Sequence, residues 1–374
     1  MYLDNAATTQ LTEEVKSYII DLLDVYQNPS STYQSGIKVK NIINEARKSV
    51  AKFINGNSDN VIFTSSGSSA NTLTIKGLTS ENTQLNEYRV YYSPTAHKSM
   101  TKTCESCMYH DALLVNRYGE IDLKYLGNIL KKENTYKPLV CVEIANSEIG
   151  TINDMIGICD IVHKYNGLVI ADATGYIPSY KIDMNLLNCD FLTFSGHKLH
   201  ALKGVGVLYI NTDIDLKPLV YGSQERGLFA GTENVLGIAS LGKAVENYGY
   251  SSISSKNRDY VYDYIINNIP DSYLVGASFE NRLPHNLYMC FKGILGESLM
   301  ILLDMNNIQI STGSACSSGD LNPSTTLTAI GIDKNDIHSC IRMTFSGTET
   351  KEELNYVCKK LKECIGLLKS YNEK

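Results

Sequence analysis

The sequence has no apolar run of the length that a membrane-spanning helix requires, which is about 20 residues. Its first ten residues, Met1 to Gln10, carry neither the basic start nor the apolar segment of a secretory signal peptide. Internal repeats and low-complexity tracts are also absent. These absences argue against membrane insertion and export, and we expect a protein that acts in the cytoplasm without binding membranes.

A concentration of positive charge is missing too. The formal net charge is -6 at pH 7, which argues against nucleic acid or anionic lipid as a partner and favours a small-molecule substrate. Ten cysteines in 374 residues are too few for a disulfide scaffold. Three of them, Cys141, Cys189 and Cys290, lie in apolar runs, where a reduced thiol packs as a small apolar group.

The length and composition are those of a globular enzyme with one large domain and a smaller one. Hydrophobic residues make up 43% of the chain and charged residues 20%. Short apolar strands alternate with helical patterns in the first part, which predicts an α/β domain with a mainly parallel sheet over residues 13–250. A polar stretch at 251–257 then leads into a mixed pattern, so that residues 1–12 and 251–374 are expected to form a small α+β domain.

The central motif is a lysine at the end of a predicted buried strand. Phe191 to Phe194 is a β-prone apolar run, and a tight polar turn, Ser195 to His197, separates it from Lys198. An amine held among apolar groups has a lowered pKa and becomes a nucleophile towards an aldehyde. The alternative is that Lys198 is a solvated surface charge, as most lysines are.

Polar groups follow three further predicted strands. The small residues Ser65 to Ser69, which include Gly67, stand between a strand and a helix, where free N–H groups and the helix dipole can bind a phosphate. A well-capped helix is the alternative. His97 follows the strand Tyr88 to Tyr92 and could stack on a flat ring, or be an ordinary surface histidine. Asp172 ends another strand and could pair with a protonated pyridine nitrogen.

These four features would lie at the same edge of a parallel sheet, where α/β proteins bind ligands. A lysine nucleophile, a phosphate site, a carboxylate for a ring nitrogen and a stacking histidine are the groups that pyridoxal 5'-phosphate requires. The sequence therefore predicts this cofactor.

Two cysteine motifs have different interpretations. The loop Ser311 to Gly319 surrounds Cys316 with small residues, which suits a thiol that must reach a substrate, although a structural cysteine in a turn is the alternative. Cys104 and Cys107 have C-x-x-C spacing but no second pair or histidine cluster nearby. We expect them in a helix without a metal.

The chain resembles the cysteine desulfurases of the class V aminotransferase family over nearly its whole length. The Ser195-Gly-His-Lys198 and Gly313-Ser-Ala-Cys316 stretches are highly specific for it. The other matching stretches are Tyr2 to Thr9, Asn28 to Thr32, Phe63 to Ser65, Glu148 to Gly150, Asp172 to Thr174, Glu225 to Gly227, and Gly231-Thr232. The resemblance implies the type I fold of pyridoxal-phosphate-dependent transferases.

The resemblance also implies a role for each matching residue. Lys198 would form the Schiff base, His97 would stack on the ring, and Asp172 would bind the pyridinium. The phosphate would be held by Gly67, Ser68, Ser195 and His197. Thr232 would reach the cofactor of a partner subunit, which implies a homodimer. Arg342 would bind the substrate carboxylate, and Ser147 would be a second substrate-binding residue.

The activity that this implies is sulfur transfer. Cys316 would take the sulfur of L-cysteine as a persulfide, L-alanine would leave, and a sulfur acceptor or scaffold protein would receive the sulfur, for example for iron–sulfur cluster assembly. A selenocysteine lyase or another pyridoxal-dependent C–S lyase is an alternative. A partner of a sulfur pathway that keeps the fold but has low activity is another.

Several positions depart from the family pattern. Ser147 replaces a second asparagine, and Gly175 replaces a glutamine that hydrogen-bonds the cofactor's phenolic oxygen. The remaining departures replace two arginines, a serine and an acidic residue: Phe229, Gly347, Ala230 and Ser69. We expect them to lower the activity, change the substrate preference or create dependence on a partner.

Overall fold

A computed structural model describes residues 1–79, 87–250, 252–312 and 323–372. The strands in these ranges are β1 (Val61–Thr64), β2 (Tyr88–Tyr92), β3 (His110–Ala112), β4 (Lys137–Glu143), β5 (Leu168–Asp172), β6 (Phe191–Ser195), β7 (Gly206–Ile210), β8 (Ser272–Leu274), β9 (Asn286–Phe291), β10 (Ser311–Thr312) and β11 (Cys340–Thr344). The helices are α1 (Glu13–Asp21), α2 (Gln34–Phe53), α3 (Gly67–Thr79), α4 (Lys98–Glu105), α5 (Leu123–Lys132), α6 (Met155–Lys164), α7 (Met184–Leu187), α8 (Val235–Glu246), α9 (Ile253–Asn268), α10 (Gly296–Asp304), α11 (Thr325–Ala329) and α12 (Lys351–Asn372).

The larger sheet has the strand order β1-β7-β6-β5-β4-β2-β3. Strands β2 to β6 run parallel to one another, while β7 is antiparallel to both β6 and β1. The carboxyl ends of β1, β2, β4, β5 and β6 therefore lie at one edge of the sheet. This architecture confirms the predicted α/β fold.

Both faces of this sheet are covered, which is why its central strands are continuous apolar runs. One face packs against α2, α5, α6 and α8. The other face packs against α3 and α4, and it includes Leu139, Ile170 and Phe191. Because side chains alternate along a strand, the last residues of β4 and β5 point to this second face.

The second sheet is antiparallel, with the order β10-β11-β9-β8. It packs with α9, α10 and α12 around a separate core that also contains Leu3. The chain start reaches it through bridges from Tyr2 to Gln309 and from Asp4 to Thr344. These two cores support the domain division that the sequence predicts, and we retain that division as a proposal.

The C-x-x-C motif differs from the prediction in one respect. Helix α4 ends at Glu105, so only Cys104 is helical and Cys107 follows the helix. Both are buried, and the described residues contain no group of three or more potential metal ligands. The described helices also include none with the length and apolarity to cross a membrane.

Candidate active site

A cavity opens at the sheet edge where the parallel strands end. Its empty volume, including its open mouth, is about 1310 Å³. It is lined by nine of the eleven residues singled out from the sequence, namely Gly67, Ser68, His97, Ser147, Asp172, Ser195, His197, Lys198 and Arg342. The sheet topology thus brings together residues that are up to 275 positions apart, from Gly67 to Arg342.

Lys198 lies in a short 3-10 turn, Gly196–Lys198, directly after β6. The N-terminal segment holds this turn, because the backbone N–H of Thr9 donates to the carbonyl of His197 at 3.1 Å and the Thr9 hydroxyl donates to the same oxygen at 3.0 Å. Residues at the start of the chain therefore fix the position of the lysine.

The proposed phosphate site is the N-terminus of the 13-residue helix α3. The backbone N–H of Gly67 donates to Ser195 Oγ at 3.0 Å, which leaves the Ser195 hydroxyl hydrogen available to a ligand. A Cβ at Gly67 would lie only 2.6 Å from that Oγ, so a glycine is needed for this approach. Burial, then the nearby Lys198 and Lys203, lowers the pKa of His197 to about 4, so the ring is neutral at pH 7.

A hydrogen-bonded network connects Asp172 to His97. Asn71, one turn into α3, donates from Nδ2 to Asp172 Oδ2 at 2.8 Å and to Ser99 Oγ at 3.2 Å. The other carboxylate oxygen of Asp172 accepts from the Thr174 N–H at 2.9 Å. Ser99 Oγ is in turn 2.8 Å from Nδ1 of His97. These donors hold the Asp172 carboxylate at the cavity wall, where it can accept a hydrogen bond from a protonated ring nitrogen.

The Ser99 backbone N–H donates to His97 Nδ1 at 3.1 Å, which places the proton of a neutral imidazole on Nε2. The ring is accessible from the cavity but closely surrounded by protein atoms. This desolvation lowers the pKa of His97, and the positive charges of Lys198 and Lys98 act in the same direction while Asp172 opposes them. A neutral flat ring suits stacking on a cofactor.

Arg342 enters the cavity from β11 of the second sheet. Its Nη2 donates to Asp4 Oδ1 at 2.7 Å and its Nη1 to the carbonyl oxygen of Ser147 at 2.9 Å. Its Nε is buried and has no hydrogen-bond partner among the described residues. A buried N–H donor without a partner is expensive, so a ligand carboxylate that accepts from this nitrogen would be stabilised here.

Glu143 is a residue of the cavity wall that sequence reasoning missed. It ends β4 and stands in register with Asp172 on β5. The Thr95 hydroxyl donates to its Oε1 at 2.6 Å, and burial raises the pKa of its carboxyl group to about 7. The available signal was one acidic residue inside the apolar run from Leu139 to Ala145.

Of the two remaining predicted site residues, the structure describes only Thr232. Thr232 is exposed and lines a different cavity, beside Phe63 and Glu225. Cys316 lies outside the described residues, as does the rest of the stretch 313–322. The residues on both sides of this stretch are placed, and Pro323 and Ser324 line the cavity.

Gly175 also lines the cavity, and the backbone leaves no room for a side chain there. A Cβ at Gly175 would lie 2.6 Å from the carbonyl oxygen of Ala145 and 3.5 Å from Cβ of Ser147. The glutamine of the family pattern is therefore not accommodated by this backbone. The two departures that line this cavity, at positions 147 and 175, lie against each other.

The groups in this cavity fit pyridoxal 5'-phosphate. Lys198 offers an amine, α3 with Ser68, Ser195 and His197 offers phosphate donors, and Asp172 offers a carboxylate held by two hydrogen bonds. The unpartnered Nε of Arg342 offers a site for a substrate carboxylate.

Comparison with known proteins identifies the family of the chain. The chain matches the family model described as aminotransferase class-V over residues 1–357. It therefore belongs to that family.

Two relatives within it are cysteine desulfurases. The chain is 35% identical to the cysteine desulfurase IscS of Dictyoglomus turgidum, covering 99% of this chain and 95% of that protein. It is 32% identical to cysteine desulfurase IscS 1 of Archaeoglobus fulgidus, covering 99% and 98%. A solved NifS-like protein of Rickettsia africae superimposes with a TM-score of 0.88 at 28% identity, covering 98% of this chain and 99% of that one.

Proposed function

We propose that this protein is a cysteine desulfurase, which uses pyridoxal 5'-phosphate to take sulfur from L-cysteine and releases L-alanine. The observation that carries the proposal is one cavity lined by a lysine amine, the N-terminus of α3, a carboxylate held by hydrogen bonds and an arginine. The similarity to two named cysteine desulfurases over nearly the whole chain supports the choice of substrate.

Each residue has a task in this reaction. When bound, the cofactor supplies an electron sink for the electrons released from the substrate's α-carbon. Arg342 orients the substrate carboxylate, Asp172 keeps the ring nitrogen protonated, and the Lys198 amine accepts and returns the proton of the α-carbon. Neutral His97 covers the ring and excludes water.

The sulfur step is assigned to Cys316. Its thiolate attacks the sulfur atom of L-cysteine, a sulfur–sulfur bond forms, and the carbon–sulfur bond of the substrate breaks with its electron pair remaining on carbon. A proton then completes alanine, and Cys316 carries a persulfide. A thiol of an acceptor or scaffold protein would receive that sulfur, as iron–sulfur cluster assembly requires.

The test is the release of alanine and sulfide from L-cysteine by the cofactor-loaded protein with a thiol reductant. We expect equimolar products from the intact protein and none from Lys198→Ala. Cys316→Ala should keep the cofactor's absorbance but release no alanine. Cys364→Ala is the matched control, because this thiol is buried in α12 in the core of the second sheet, and should react normally. An intact protein that binds the cofactor but yields neither product would refute the proposal.

We also propose a homodimer in the cytoplasm. Thr232 is exposed and lies outside its own chain's Lys198 cavity, which supports a role in the partner's cofactor site. Mixing Thr232→Val with Lys198→Ala under conditions of subunit exchange should recover activity, because one site of each mixed dimer is then intact. Failure of the mixture to exceed the separate variants would contradict this arrangement.

A further inference from the structure

Glu143 is a buried acid in the cavity for which the proposed reaction has no task. Its side chain is 5% exposed, and a carboxyl group at such a position is rare without a charged partner. Its Oε1 accepts two hydrogen bonds, from the Thr95 hydroxyl at 2.6 Å and from Asn146 Nδ2 at 3.4 Å. Its Oε2 is buried and has no hydrogen-bond partner among the described residues.

This asymmetry decides where a proton would reside. Both groups at Oε1 are donors, so in a neutral carboxyl group Oε1 is the carbonyl oxygen and the hydrogen is on Oε2. Oε2 then becomes a donor, and Glu143 belongs to the cavity lining. A group bound in the cavity would satisfy this donor in competition with the nearby Ser93 hydroxyl.

The surroundings favour the neutral form. Glu143 stands in register with Asp172, whose carboxylate points to the same face of the sheet, and adjacent strands are about 4.8 Å apart. Burial in a poorly hydrated site disfavours the ionised form of a carboxyl group. Burial raises the pKa of Glu143 to about 7, although hydrogen bonds from Thr95, from its own backbone, from Asn146 and from Ser93 oppose that rise.

The other charged and titratable groups of the cavity come from every element around it. They are Asp172 after β5, His97 and Lys98 at α4, His197 and Lys198 after β6, Glu148 after β4, and Arg342 on β11. The lysines and the arginine attract anionic ligands to this cavity. An ionised Glu143 would act against that attraction.

We propose that Glu143 is a further ligand-binding residue of this site, which donates a hydrogen bond from Oε2 to an oxyanion group bound in the cavity and weakens the binding of that group when it ionises. The oxyanion is an oxygen of the cofactor or the carboxylate of the substrate. The inference rests on the proposed function. The proton on Oε2 of Glu143 would form the hydrogen bond to the bound ligand.

The test compares cofactor release from the loaded protein at pH 6 and pH 8.5, by equilibrium dialysis. Only about 3% of Glu143 would be neutral at pH 8.5. Between pH 6 and pH 8.5 the affinity of the wild type for the cofactor should therefore fall by about 30-fold relative to that of Glu143→Gln. The amide of this variant still donates but does not ionise. Glu143→Met, which has no donor, should bind about 10-fold more weakly than Glu143→Gln at both values. Glu45→Gln, an exposed carboxyl group on α2, is the control.

A second arm uses 3-mercaptopropionate, a carboxylate that resembles the substrate but has no amine, with the loaded protein. If substitution of Glu143 changes only the release of the cofactor, the cofactor is the acceptor. If substitution changes only the binding of 3-mercaptopropionate, the acceptor is the substrate carboxylate. The carboxylic-acid band in the infrared difference spectrum between wild type and Glu143→Gln reports the ionisation directly and should disappear near neutral pH.

Equal pH dependence of wild type and Glu143→Gln in both arms would overturn the inference, as would equal binding by Glu143→Met and Glu143→Gln. A wild-type protein that takes up no cofactor at any pH would instead refute the proposed function, and this inference with it.

Discussion

The ion pair between Glu225 and Arg47 should control both stability and the placement of Thr232. Glu225 and Arg226 have φ values of 46° and 58°, in the left-handed region, where each non-glycine residue costs about 1–2 kcal/mol. Glu225 keeps this conformation because both its oxygens are bound. Arg47 donates to them at 2.6 and 2.8 Å, and the backbone N–H of Phe63 donates to Oε2 at 2.8 Å.

Glu225→Ala leaves the buried backbone N–H of Phe63 without its acceptor and leaves the Arg47 guanidinium with only the carbonyl oxygen of Val61. The Glu225 side chain is only 4% exposed and that of Arg47 20%, so the loss should be about 3–5 kcal/mol, as for other buried pairs that lose one partner. Glu45→Ala, which breaks the exposed pair with Lys48, should cost less than about 0.5 kcal/mol.

Urea unfolding of the loaded protein measures these losses. The chain has 25 tyrosines and no tryptophan, so tyrosine fluorescence reports the transition. The double variant Glu225→Ala with Arg47→Met should lose clearly less than the sum of the single changes, because the two groups act together. A loss below about 1 kcal/mol for Glu225→Ala, or additive losses in the cycle, would refute the assigned role.

Three further predictions concern the site. Asn71→Ala removes a donor from Asp172 and should weaken cofactor binding by about 10-fold in equilibrium dialysis, since a buried hydrogen bond is worth about 1–3 kcal/mol; unchanged affinity would contradict this. Burial, and then the nearby positive charges, lowers the pKa of His285 to about 3, so its unfolded form gains a proton below pH 6.5 while its folded form does not. Wild type should therefore lose about 2 kcal/mol more than His285→Phe between pH 6.5 and 4.5 in urea unfolding, and parallel losses would exclude this histidine as the cause. Gly175→Gln should lower the free energy of unfolding by about 1–3 kcal/mol, because its Cβ would meet the carbonyl oxygen of Ala145. Gly175→Ala should show most of this loss. A variant that is more stable than the wild type would show that the backbone can move to accommodate the side chain.

The central strands were predictable because burial on both faces makes them continuous apolar runs. The predicted limits Tyr88 to Tyr92 are those of β2, and the strand predicted before Ser65 is β1. The edge strands β3 and β8 were not predicted, since each has three residues and no apolar run. The apolar residues Ile308 and Ile310 do not belong to a strand of the second sheet, since β10 begins at Ser311 and Gln309 pairs with Tyr2.

The site residues likewise include some that the sequence could bring together and some that it could not. Lys198, Asp172 and His97 could be brought together from sequence alone, because parallel strands place their carboxyl ends at one edge. The contact between Asn71 and Asp172 could not, since it depends on how a helix is rotated against the sheet. Nor could the pair of Arg342 and Asp4, which are 338 positions apart.

The departures from the family pattern are properties of the backbone as well as of side chains. The Cβ direction of Gly175 leads to Ala145 and Ser147, so the chain after β4 occupies the space that a longer side chain would need. Gly347 has φ of 88°, a conformation in which an arginine would be strained. Restoring one family residue at a time therefore adds strain before it adds a contact. A return to the family geometry requires that the segment from Ala145 to Ser147 and position 175 change together.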